Sequence, residues 1–372
     1  MWILVRKGEK DFIQAPKDQR LGEYSGKRMT IRGVQFLNSY CWMDSQGQGG
    51  LYKFGGPTKT EMWDEIYEKA VDLLEQNKFN CLGMDSEVGE GIPFIHCLSI
   101  AVDKLKGIGT TEWKEQAYKK VEEVSKTLAG NPWCVGVFLG NEILWRAKDE
   151  DITRKELEKA HIKYYKTMSA AVRKFLPRSL IFSNKYAASL PGNSWPWMDS
   201  KFFHSLLLVA ANYCSVVCIN EYFSSIEGLD VGEKYKKLRD YLESKTGLLC
   251  FVLLSETGIQ ANDYERMLSS GLAGRYQKYT SHEFPQAIDQ EARGEHMKVI
   301  VESLVQHGIL GYFFHSFADH GPYDDFPWYA VWKKYKGYSN WGLYDPWRDK
   351  VYVPFLEKLR KANITMMKGE KQ

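Results

Sequence analysis

Eight short apolar runs, rich in β-branched and aromatic residues, alternate along this chain with longer amphipathic stretches. The runs are MTIRGVQFL (29–37), FNCLGM (79–84), PFIHCLSI (93–100), WCVGVFL (133–139), SLIFSN (179–184), SVVCIN (215–220), LLCFVLLS (248–255) and ILGYFFHSF (309–317). Runs that are apolar throughout read as strands buried on both faces, which a parallel sheet covered by helices provides. Helical spacing of apolar residues marks 60–77, 112–128, 153–175, 200–213, 232–245 and 286–306, with a terminal helix at 351–362. In 60–77, Met62, Ile66, Ala70, Leu73 and Leu74 share one stripe. The segment between the second and third runs is short, so that crossover is the weakest link. Eight strands alternating with helices predict a (β/α)8 barrel, a TIM barrel, as one catalytic domain over residues 1–372. A doubly wound dinucleotide fold would want GxGxxG after its first strand. Gly107-Ile108-Gly109 lacks the third glycine, and no GxxxxGK[ST] loop occurs.

Composition excludes several classes of function. Fifty basic against 47 acidic residues give a net charge of +3 with no long basic run, which argues against nucleic acid as a partner. Hydrophobic residues at 44% and charged residues at 26% exclude a mainly disordered chain. The longest nearly apolar stretch, Leu206 to Ile219, is interrupted by Asn212, Tyr213 and Ser215. It is shorter than the ~20 residues that span a bilayer, so no membrane partner is expected. No signal-peptide pattern opens the chain. The expected location is therefore cytoplasmic, or secreted with the leader already removed. Seven cysteines without a CxxC read as buried thiols rather than a disulfide framework.

Barrel enzymes carry their chemistry at the C-terminal ends of the strands. The first run ends at Gln35, with Trp42 just beyond, and the third contains His96. The fourth ends in Asn141-Glu142 with Trp145 following, and the sixth in Asn220-Glu221-Tyr222. The seventh ends in Glu256, and the eighth contains His315. Glu142 and Glu256 end strands that are not neighbours, so their tips face each other across the barrel mouth. Retaining glycosidases need two carboxyl groups about 5–5.5 Å apart, one protonated and one ionised. A lone glutamate after a strand is ordinarily a solvated loop residue; two, after the fourth and seventh of eight strands, form a much rarer pattern. Glu221 points away from the interior if Tyr222 points in. Arg32 either supports Glu256 or is buried elsewhere, and His96 either touches substrate or is a satisfied core histidine.

NPWCVGVFLGNEILW (131–145) resembles the fourth-strand motif of the large clan of retaining (β/α)8 glycoside hydrolases, clan A. FVLLSETG (251–258) resembles its nucleophile motif, SVVCINEY (215–222) its sixth strand and GYFFHSFADHG (311–321) its eighth. The fourth-strand stretch and YSNWGLYDPWRDKVYVPFLEKLRKAN (338–363) are most similar to the β-agarase-like branch. The resemblance implies that Glu142 is the general acid and then base, with a pKa raised by Glu256, and that Glu256 is the nucleophile. It implies that Asn141 binds the sugar 2-OH and that Tyr222 donates to Glu256. Two positions depart from the clan: Asn220 stands where many members carry histidine, and His315 where many carry a tryptophan.

Ten aromatics between Tyr323 and Trp347 predict a long aromatic loop after the eighth strand. At the barrel mouth such rings stack on sugar faces; otherwise they form a flap packed on itself. Trp42 and Trp145 are candidate cleft walls on the same ground. His315, Asp319 and His320 do not match a closed zinc spacing, so no metal is expected, and no cofactor either. The expected function is hydrolysis of β-linked oligosaccharide or polysaccharide with net retention, with agarase- or galactosidase-like, or glucanase- or mannanase-like, specificity. The alternative is a non-catalytic carbohydrate-binding protein on the same barrel.

Overall fold

The computed structural model describes residues 1–35, 37, 59–84, 86, 91–98, 100, 107–143, 153–187, 200–223, 227–228, 230–261, 286–287, 289–317, 342–345 and 350–370. The chain opens with a small antiparallel sheet of β1 (Ile3–Lys7), β2 (Lys10–Gln14) and β3 (Arg28–Met29). Eight parallel strands follow: β4 (Ile31–Val34), β5 (Cys81–Leu82), β6 (Phe94–Cys97), β7 (Cys134–Phe138), β8 (Leu180–Ala187), β9 (Val216–Asn220), β10 (Val252–Thr257) and β13 (Gly311–Phe314). They close in chain order, with β13 pairing back onto β4. This is the (β/α)8 barrel that the alternation of runs predicts. Two short pairs, β11 (Gln260–Ala261) with β12 (Gln286–Ala287) and β14 (Tyr344–Asp345) with β15 (Lys350–Val351), lie outside it.

The helices are α1 (Lys59–Gln76), α2 (Thr111–Leu128), α3 (Arg154–Phe175), α4 (Ser200–Tyr213), α5 (Val231–Thr246), α6 (Gln290–Gln306) and α7 (Val353–Glu370). The starts of α2, α3, α5 and α6 are set by side-chain caps. Thr110, Asp230 and Asp289 each accept a backbone N–H of the first turn, and Thr153 forms a capping box with Glu156. The Asp289 cap explains why α6 begins at Gln290 rather than at residue 286, where the apolar pattern begins. Among the described residues no helix connects β5 to β6, the crossover whose segment is too short for one. The closing helix extends past 362 to Glu370, because its end is tied inward. The Glu370 carboxylate accepts from Arg32 and Thr30, and Asn363 accepts from Tyr312. Arg32 therefore faces the outer helices, not the barrel interior. No described helix is long and apolar enough to cross a membrane.

Rings fill the middle of the barrel. Phe138 packs against Phe182 and Phe313, with ring centroids 5.3 and 5.8 Å apart. Residues 33 and 83 must be glycine for this: a Cβ would lie 2.1 Å from the Phe313 ring at Gly33 and 2.7 Å at Gly83. The N-terminal sheet sits at the opposite end from the strand tips. Asp11 N–H donates to the carbonyl of Gly308, which precedes β13, and the Trp2 indole donates to Pro132, which precedes β7. Buried Asp11 binds Arg6 at 2.6 Å and Arg239 of α5 at 2.9 Å, so this sheet is held to the barrel by charge as well as by apolar packing. Removing one member of a buried ion-pair network strands the others. Asp11→Ala is expected to cost about 3–5 kcal/mol of folding stability, read by urea unfolding.

His161 of α3 is wholly buried, with Nε2 2.5 Å from the Tyr186 hydroxyl, and burial pushes its pKa down to about 3. In the unfolded chain a histidine titrates near 6.5. As pH falls below that value the unfolded state takes up a proton that the native state refuses, so stability present at neutral pH is lost on acidification toward about 3. Between pH 6.5 and 4.5, His161→Gln should lose about 2–3 kcal/mol less stability than the unmutated protein, measured by urea unfolding at both pH values.

Candidate active site

Above the ring layer the barrel interior turns polar. Glu256 is the penultimate residue of β10, Asn220 ends β9, and Tyr222 follows two residues later. The Tyr222 hydroxyl donates to Glu256 Oε1. Asn220 Nδ2 lies 3.2 Å from Glu256 Oε2, 2.9 Å from Glu142 Oε1 and 3.2 Å from Asn141 Oδ1. Its own Oδ1 accepts from Ser255 at 2.8 Å, which fixes the amide's orientation. One nitrogen thus contacts both glutamates. The two distances from it to Glu142 and Glu256 cap the separation of those oxygens at about 6 Å.

Each carboxylate is aimed by its strand end. Ser255 and Glu256 are consecutive, yet both reach Asn220. The register between β9 and β10 shifts between Leu254 and Glu256, and such an irregularity re-aims a side chain. Beyond β7 the chain turns through Gly140, at φ 109°, into Glu142, at φ 40°. Glu142 is thus held in the left-handed region, which a non-glycine residue occupies at a cost of order 1–3 kcal/mol. Strand β8 holds it there: Glu142 N–H donates to the Lys185 carbonyl, Lys185 N–H to Gly140, and Ile143 N–H to Asn184 Oδ1.

The residue that reading the sequence missed is Lys185. It is wholly buried, and its Nζ lies 2.7 Å from Glu256 Oε2 and 3.1 Å from Gln35 Oε1. Gln35 is held in turn by its Nε2, which donates to the Ser255 carbonyl at 2.5 Å. Strict alternation from Phe182, which faces inward, would turn Lys185 outward. The pairing of β8 with β9 shifts register between Phe182 and Lys185 and brings it inside. The extension of this strand to Ala187, past the last apolar residue of the run, was also not legible.

Glu256 is 6% exposed, and burial alone would push its carboxyl up. Lys185, His315 and Tyr222 outweigh that and hold it below the ordinary glutamate range. His315 Nδ1 lies 3.9 Å from Glu256 Oε1, and its ring meets the Tyr222 ring edge-on at 6.2 Å. Burial pushes the His315 pKa down against the pull of Glu256.

Of the residues singled out from sequence, Gln35, Asn141, Glu142, Asn220, Tyr222, Glu256 and His315 converge here. His96 does not join them. It pairs with Val137 in register, one residue before inward-facing Phe138, which leaves it toward α2, where burial and, less, Lys120 lower its pKa. Glu221 turns outward to Lys234 and Tyr235 of α5. Trp42, Trp145 and nearly all of the aromatic loop lie outside the described residues; of its ten rings only Tyr344 is within them, in contact with Phe317. Among the described residues no group of three or more His, Cys, Asp or Glu side chains is placed to hold a metal ion.

No family model and no curated protein sequence matches the chain. Solved structures do. An exo-β-agarase superposes with a TM-score of 0.71 at 14% identity, covering 100% of this chain and 65% of its own. Another agarase gives 0.68 at 16% identity, with 100% and 64% covered. A GH2 β-galacturonidase from Eisenbergiella tayi, bound to galacturonate, gives 0.57 at 13% identity, with 97% and 54% covered. The chain therefore spans less than two thirds of the length of each of these. At such identities the likeness shows a shared fold, and that fold is one on which glycoside hydrolases are built.

Removal of Glu256 would leave the Lys185 ammonium buried and unpaired. Glu256→Ala is expected to lower stability by about 3–5 kcal/mol, and Glu256→Ala combined with Lys185→Met by less, in urea unfolding at pH 7.

Proposed function

We propose that this chain is a glycoside hydrolase that cleaves β-linked oligosaccharide or polysaccharide with net retention, as one catalytic domain without a cofactor. The observation that carries the reading is the bridging of Glu142 and Glu256 by the single Asn220 amide nitrogen. One oxygen of each carboxylate thus lies within about 6 Å of the other, which favours the ~5–5.5 Å carboxyl spacing of retaining enzymes over the wider ~6.5–9.5 Å of inverting ones. Agarases among the structural neighbours support a galactose-containing polymer as the first substrate to try.

In this reading Glu256 attacks the anomeric carbon as the leaving oxygen departs with the electron pair of its bond and takes the Glu142 proton. Water then adds to that carbon, gives a proton to Glu142, and the Glu256–sugar bond breaks with its electrons returning to the carboxylate. Tyr222 and Lys185 keep Glu256 ionised in the resting site, which the first step requires. Asn141, held by Asn220 at the edge of the cluster, would meet the sugar 2-OH, and His315 would stand beside Tyr222 along the pocket wall.

The test is a screen against agarose, β-glucans, mannans and aryl β-glycosides, with the product anomer followed by NMR. First-formed product of the β configuration is expected; α product would refute retention, and no turnover on any member would refute the enzyme reading. Glu256→Gln should lower kcat by at least about 10^3-fold, and Glu142→Gln should hurt substrates with poor leaving groups most, because it removes the proton donor.

A further inference from the structure

Lys185 enters the double displacement as outlined only as the ionic partner of resting Glu256, and the structure gives it an unusual amount of support. Its stem comes up beside the ring layer, with Nζ 5.8 Å from the Phe138 ring centroid and 3.7 Å from Met84 Sδ. Gln35 takes a second hydrogen bond from the ammonium and is itself fastened to the backbone of Ser255, next to Glu256. The cation is thus tied to the strand that bears the carboxylate it pairs with. A lysine on an open rim would swing into solvent; this one is enclosed by β4, β5, β7 and β10 and held on Oε2.

We propose that Lys185 is a positioning residue whose fixed ammonium holds Glu256 as an aimed carboxylate and favours its return to that state when the glycosyl-enzyme breaks down. The proposal rests on the reading of Glu256 as the nucleophile. Lys185 and Asn220 occupy Oε2 while Tyr222 occupies Oε1, so rotation of the carboxylate is blocked from both sides. In the first step the carboxylate becomes a neutral ester and loses its attraction to the ammonium. In the second, the bond from the anomeric carbon to the carboxylate oxygen breaks, the electron pair stays on that oxygen, and the attraction is restored. A cation here slows formation of the glycosyl-enzyme slightly and speeds its release. Among the described residues, the other polar and charged groups turned toward Glu256 are Gln35 just beyond β4 through Lys185, Glu142 beyond β7 through Asn220, Asn220 and Tyr222 at and beyond β9, and His315 beyond β13. None of the donors among them carries a fixed positive charge, so the charge supplied by Lys185 is not duplicated.

The experiment uses the full chain labelled with 13C at the glutamate carboxyl carbons, with the Glu256 signal identified by its loss in Glu256→Gln. In the unmutated protein that signal should stay at its ionised position to a pH below the ordinary glutamate midpoint. In Lys185→Met, its fold checked by circular dichroism, the midpoint should rise by about one pH unit or more. The acidic limb of kcat/KM should move up with it, and rapid-quench assays on an activated aryl glycoside should show a larger burst, because release of the sugar has slowed. A midpoint at or above the ordinary value in the unmutated protein overturns the proposal, and that measurement stands even where Lys185→Met does not fold. A midpoint unchanged by a folded Lys185→Met overturns it as well. Absence of turnover in the unmutated protein on the whole substrate panel would instead strike the glycosidase reading, while the titration would still report whether Lys185 governs Glu256.

Discussion

Phe313 can stand in the centre of the barrel only because residue 33, on the neighbouring β4, and residue 83, just beyond β5, have no side chain. That packing constraint organises what lies above it. A barrel of eight strands encloses just enough volume for side chains to fill, and rings from β7, β8 and β13 take that volume at mid-height. Water is thereby kept from the floor of the polar layer. Lys185, Gln35 and Glu256 meet directly over these rings, where an ion pair is screened far less than at a surface. The same floor makes the pair costly to break, since neither charge has solvent to retreat to.

Regular strands would not assemble this cluster. Period-two alternation places every second side chain inside, yet Phe182 and Lys185 face inward at a spacing of three, and Ser255 and Glu256 at a spacing of one. Both exceptions sit where pairing slips against β9, the strand between them. Two register shifts on either side of one strand thus converge on its last residue, Asn220. The third irregularity is the left-handed conformation of Glu142, pinned by the backbone of β8. These three deviations, each of which would weaken a structural sheet, converge on the cluster around Asn220.

This distribution explains how much the sequence disclosed. The ring-rich runs and the capped amphipathic helices follow from hydrophobic periodicity, and those elements stand close to where the pattern puts them. Glu142, Asn220, Tyr222 and Glu256 were legible because polar residues cluster after the fourth, sixth and seventh of eight apolar runs, a rarer pattern than one glutamate after one strand. Lys185 was not, because its run seemed to end at Asn184 and because a register slip leaves no mark in a single sequence. His96 misleads for the opposite reason: it lies within a strand, where one place in register decides between cleft and helix interface, and that choice turns it toward α2. The N-terminal sheet also escaped notice, since strands of five residues carrying Arg6, Lys7, Lys10 and Asp11 show little apolar signal. They are held by the network of Arg6, Asp11, Arg239 and Glu243, whose contacts to α5 join residues more than two hundred apart in sequence.

The proposed division of roles between the two carboxylates follows from the same layering. Glu256 lies low, against the ring floor, where Lys185, Tyr222 and Asn220 converge on it and favour its charged form despite burial. Glu142 stands higher, half-buried, beyond the strand end and joined to the cluster through Asn220. A proton donor needs access to solvent to be reloaded after each cycle, and a nucleophile needs protection from protonation. Depth in one barrel supplies both conditions, provided a fixed cation compensates the deeper group. A histidine at the Asn220 position would offer a donor as well, but one whose charge changes with pH. An amide there, combined with a lysine from β8, gives the hydrogen-bonding task and the electrostatic one to separate groups.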